Sequence, residues 1–85
     1  MPRYYFDVDD GVEVTRDEDG HEFETRQHVS RASLTTLCEI ARDVSPGDSR
    51  REIVVSVRDG ADQCLLRATL SLSFEWLDEA GRKRA

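Results

Sequence analysis

Apolar and polar residues alternate along several stretches of this chain and follow a helical spacing along one. Residues 3 to 8, RYYFDV, put Tyr4, Phe6 and Val8 on one face and Arg3, Tyr5 and Asp7 on the other, which predicts a strand. Asp9-Asp10-Gly11 supplies turn chemistry, and Val12 to Thr15 predicts a short second strand that closes a hairpin at a sheet edge. Arg16 to Gly20, reading R-D-E-D-G, is a charged loop with a second turn signal. Phe23 is the large apolar residue expected to plug the end of the core.

From Thr25, a plausible N-cap, to Val44 the spacing changes to about 3.6, gathering Val29, Ser33, Leu37, Ile40, Ala41 and Val44 in one arc. His28, Arg31, Thr35, Glu39 and Arg42 take the opposite face, with Leu34 and Cys38 at the rim of the apolar stripe. Ser45-Pro46-Gly47-Asp48 cannot continue a helix, because proline disfavours helical backbone in the residue before it. Residues 51 to 59, REIVVSVRD, then point Ile53, Val55 and Val57 one way and Val54, Ser56 and Arg58 the other. After a turn at Gly60-Ala61-Asp62, Leu66, Ala68, Leu70, Leu72, Phe74 and Trp76 alternate with polar residues in one long strand.

These elements predict an α+β fold of order β-β-α-β-β, one mostly antiparallel sheet with one helix packed on one face. Pairing the two strands of the final hairpin leaves Leu72 to Leu77 over, so the last strand is expected to lie between the first and the third. A right-handed crossover through the helix would then make the first and third strands parallel. The other sheet face carries Tyr5, Val54, Ser56, Leu65, Arg67, Thr69, Ser71 and Ser73 with no second helix to cover it, and these residues are the candidate interface. Residues 1–77 are expected to form the single domain and residues 78–85, DEAGRKRA, a charged and frayed tail.

Length and charge narrow the function. A chain of 85 residues has room for one core, and 38% hydrophobic against 35% charged residues leaves little burial to spare. A second copy, or an unknown partner protein, is therefore expected to complete the core. The net charge of −6 repels phosphate backbones and anionic lipid. No export signal or apolar run of membrane-spanning length is visible, so cytoplasmic residence and two free thiols, Cys38 and Cys64, are expected.

Candidate chemistry is thin. His21, His28 and Cys38 are metal-ligand types, but helical spacing separates His28 from Cys38 by about three turns, so they do not converge. The acidic clusters Asp7, Asp9, Asp10 and Asp17, Glu18, Asp19 fail the calcium-loop pattern: with Gly20 at the invariant glycine, Thr15 and Arg26 fall where carboxylates belong. Turn formation explains these acids better. No nucleophile elbow, triad spacing or glycine-rich phosphate loop is present. The reading is a non-enzyme with no cofactor and no metal. Arg50, Arg51, Arg82, Lys83 and Arg84 are the basic groupings, and a nucleic-acid site built on them has little aromatic surface for stacking.

The opening MPRYYFDV, the D-G turn, TRDEDGHEF before the helix and the E-I-V-V-x-V-R-D strand resemble a family of short bacterial proteins that usually begin M-P-R-Y-F-F and carry a domain of unknown function. The resemblance runs from Met1 to about Leu77, with R-D-E-x-G, here Arg16 to Gly20, as its most specific piece. It implies a free-standing bacterial domain and carries over no activity, cofactor or catalytic residue. Three functions follow for comparison. The first is a homodimeric interaction module using the open sheet face or the edge at Val12 to Thr15. The second is a cation or small-ligand binder using the loops at residues 9–11 and 17–22, and the third a nucleic-acid accessory protein.

Overall fold

The strand REIVVSVR is the centre of the molecule. In the computed structural model, which describes residues 2–45, 47 and 49–77, Ile53, Val55 and Val57 have no exposed surface while their alternating neighbours reach solvent. Such complete burial needs a paired strand on both sides and a helix above. The elements are β1 (Arg3–Asp9), β2 (Val14–Thr15), β3 (His21–Glu22), α1 (Arg26–Arg42), β4 (Arg50–Arg58) and β5 (Cys64–Ser73). They build a five-stranded sheet of order β2-β1-β4-β5, with β3 also pairing β1. Every pairing is antiparallel.

The α+β class and the single helix on one face stand as the alternation predicts, but the strand order does not. The strand expected third, β4, is central and pairs β1 antiparallel, from Tyr5 opposite Arg58 to Asp9 opposite Val54. β5 lies outside it, from Arg50 opposite Ser73 to Arg58 opposite Cys64. The reason is that β2 and β3 both run against β1, at its far end and at its start. They act as one interrupted strand that returns the chain to the beginning of β1. The helical crossover therefore joins β3 to β4, which are parallel to one another with β1 between them. The rule for parallel crossovers applies to that pair and not to β1 and β4.

Helix α1 begins where Thr25 turns extended, and its Oγ1 accepts the His28 N–H at 3.2 Å. Val29 and Leu37 enter the core, and buried Ser33 satisfies its hydroxyl by donating to the Val29 carbonyl at 3.0 Å. The helix closes with the Asp43 N–H on the Ile40 carbonyl, two residues short of Val44. Val29, Leu37, Ile53, Val55 and Val57 form the buried core, flanked by half-buried Phe6, Phe23, Ile40 and Leu70 among others. Each fully buried aliphatic contributes about 2 kcal/mol of transfer free energy. Phe23 caps the end of this core as expected, its ring 5.7 Å from that of Phe6 and 6.1 Å from that of Tyr4.

Further expectations are corrected at the chain's second half. Leu65 does not belong to the open face. A register shift at Val57/Arg58 leaves it without a partner of its own, and it lies beside Leu66 at a small apolar pocket with Tyr4, Val29 and Val57. Phe74 and Trp76 continue the inward phase of β5 but lie beyond the first residue of β4, so they are 41% and 81% exposed. Pro46 and Asp48, and the tail expected at residues 78–85, fall outside the described residues.

Candidate functional site

The R-D-E-D-G loop is built around Asp17. The β2–β3 interruption leaves the outward N–H of Phe6 with no ladder partner, and Asp17 Oδ2 accepts it at 3.0 Å. The other oxygen, Oδ1, accepts the N–H groups of Asp19 and Gly20 at 3.2 and 3.1 Å. Burial alone would push the Asp17 carboxyl up, but these three donors hold it below the ordinary range. Gly20 has a φ of +69°, and a Cβ there would stand 2.9 Å from the Tyr4 carbonyl oxygen and the Tyr5 ring. Only glycine meets both demands without strain.

Arg58 ties the loop to the sheet. Its Nε donates to Asp7 Oδ2 at 2.8 Å and its Nη2 to the Asp17 carbonyl at 2.6 Å. Its guanidinium carbon sits 4.7 Å from the centre of the Tyr5 ring. Asp7 also accepts the Asp17 N–H at 2.9 Å. Partial burial raises the Asp7 pKa, and the Arg58 hydrogen bond followed by the Asp17 N–H more than reverses it. Both carboxylates are therefore ionised at neutral pH and fully engaged, which suits a structural clasp and not proton transfer. Arg58 was legible only as a polar strand residue.

The first acidic cluster is used in the same way. Asp10 Oδ1 accepts the N–H groups of Val12 and Glu13 at 2.9 and 2.8 Å, and Asp9 Oδ1 that of Gly11 at 2.9 Å. Those two donors from Glu13 and Val12 lower the Asp10 pKa. Arg51 donates to the Asp10 carbonyl at 3.2 Å. Among the described residues no three His, Cys, Asp or Glu side chains gather as a metal would require. Cys38 and Cys64 are free and exposed. Arg82, Lys83 and Arg84 lie outside the described residues. No helix among those described is long and apolar enough to cross a membrane.

An open groove of about 780 Å³ separates the loop from α1, lined by Asp17, Glu18, Asp19, His21, Thr35 and Thr36 among others. The open sheet face is equally polar. Its cross-strand rows are Tyr5 with Arg58, Asp7 with Ser56 and Arg67, Asp9 with Val54 and Thr69, and Glu52 with Ser71. Ser73 stands opposite Arg50 at its end. Of the expected interface, Tyr5 is already covered by Arg58 and Gly20, and Val54 is half-buried.

The surface that differs in kind is the outer edge of β5. The Phe74 N–H donates to the Ser49 carbonyl at 2.9 Å, which fixes the phase of the β4–β5 ladder. Even-numbered residues of β5 bond inward, so the N–H and C=O groups of Arg67, Thr69, Ser71 and Ser73 point outward. The other edge is blunt, because β2 has two residues. β5 has ten, with Arg67 as its one charge and no proline. Its apolar side runs on from half-buried Leu70 and Leu72 into exposed Phe74 and Trp76.

Neither the curated proteins nor the solved structures gave a match to this chain. A family model does match, over residues 3–71, from the first residue of β1 to within two of the end of β5. The chain thus belongs to the family described as domain of unknown function DUF6894.

Proposed function

We propose that this domain is a non-enzymatic protein-interaction module that takes up an extended strand of its partner along the outer edge of β5. The observation that supports it is the undefended edge: ten residues with one charge and no proline. Natural sheets blunt such edges with lysine, proline, bulges or short strands, because an open ladder recruits another strand. The bulge of β5 lies at its first residues and leaves the rest regular. The acidic loops favour this reading indirectly, since their carboxylates close turns on their own backbone. Main-chain hydrogen bonds would supply the affinity, and the alternating polar and apolar sides of β5 the selectivity.

The test uses a synthetic peptide spanning residues 66–76, titrated into the isotope-labelled protein and followed by amide hydrogen exchange. Slowed exchange at Arg67, Thr69, Ser71 and Ser73 supports the reading. Ser71→Pro is the control, because the phase of the β4–β5 ladder turns the Ser71 N–H away from β4, and proline is tolerated at such an edge position. It should abolish the protection while leaving the fold intact. Perturbation confined to the open sheet face, or none at all, would remove the proposal.

A further inference from the structure

Resting on that reading, we propose that the strand taken up by β5 is β5 of a second copy, paired antiparallel about a two-fold axis at Ser71. An antiparallel pairing of one strand with itself allows several registers that keep the outward N–H groups opposed. Charge and size choose among them. With the axis at Ser71, Arg67 of one copy comes opposite Glu75 of the other, in addition to the interaction Glu75 makes within its own copy, and the symmetry repeats the contact. An axis at Thr69 sets Arg67 against serine at position 71, and one at Leu70 sets it against serine at position 73.

The same register matches the apolar side. Phe74, 41% exposed, falls opposite Ala68, whose small side chain leaves room for the ring. Trp76 falls opposite Leu66, at the mouth of the small apolar pocket that Leu65, Val29 and Val57 line. Leu70 meets Leu72, both half-buried in one copy. The two aromatics that outrun β4 thus find cover on the partner, and small-to-large pairs of this kind are the unit of sheet stabilisation. The result is one continuous sheet through both copies, with the helices on one side.

The experiment is a charge exchange read by sedimentation over a wide concentration range. The unmodified chain should be a dimer that dissociates on dilution. Arg67→Glu and Glu75→Arg, each alone, should raise the dissociation constant by about tenfold or more, because two symmetric like-charge contacts replace two attractive ones. The double exchange should restore the original value. A chain that stays monomeric at every concentration overturns the self-pairing, whereas slowed exchange at Arg67, Thr69, Ser71 and Ser73 on adding an extended peptide unrelated to this chain would keep the edge itself as the docking site. A dimer abolished by Ser71→Pro but without rescue in the double exchange overturns this register alone.

Discussion

Asp17 Oδ2 accepts the Phe6 N–H at 3.0 Å, so a side chain supplies the hydrogen bond that a neighbouring strand would otherwise make. β1 is thereby paired along its outer edge by β3, a carboxylate and β2 in turn. Asp17→Asn should break this clasp, since an amide places a donor where a second acceptor is needed. A loss of about 1–2 kcal/mol is expected, read as a lower midpoint in urea unfolding at pH 7.

Acid should do the same to the wild type. Asp7 and Asp17 both ionise below their ordinary pKa in the folded chain, so at acidic pH the unfolded chain binds more protons. Their contribution is fully present above the unfolded value near about 4 and is lost as pH falls through the lower folded values. Denaturant midpoints should be level near pH 6 and drop below about pH 4.5. Asp7→Asn combined with Asp17→Asn should flatten that drop; an unchanged slope would show that other groups cause it.

Gly20→Ala meets two penalties at once: a left-handed backbone and contacts of 2.9 Å to Tyr4 and Tyr5. The expected cost is about 1–3 kcal/mol, a fall of roughly 5–15 °C in melting temperature for a domain of this size. Gly60→Ala is the contrast, because nothing lies within 4 Å of a Cβ at that position.

Arg58→Lys keeps the charge and loses the fork that holds Asp7 and the Asp17 carbonyl together. With only 12% of the Arg58 side chain exposed, the exchange should cost about 2 kcal/mol in urea unfolding. Arg16→Lys, at an exposed ion pair with Asp62, should change stability by less than about 0.5 kcal/mol.

Local patterning carried most of the fold and little of the site. The period of β4 and the N-cap at Thr25 were visible because each depends on residues close in sequence. The strand order was not, because it depends on where the chain lies after Glu22, and that is set by pairing of Arg3 with Glu22 across nineteen positions. His21 and Glu22 show no alternation to mark a strand. The motif Arg16 to Gly20 stood out as a turn, yet its purpose rests on contacts to Phe6, Asp7 and Arg58 that no spacing rule contains. The exposure of Phe74 and Trp76 could not be read from their inward phase, because phase does not reveal where the neighbouring strand β4 begins.

The core is a single layer, with Val29, Leu37, Ile53, Val55 and Val57 as its buried hydrophobic members among the described residues. Unfolding one copy thus hydrates little apolar surface, and its heat-capacity increment should fall below the usual range of about 12–15 cal/mol/K per residue. A small increment flattens the dependence of stability on temperature. Cooling should weaken the isolated fold only slightly, while association across an apolar strand would add its own curvature and make the warm optimum depend on how concentrated the protein is.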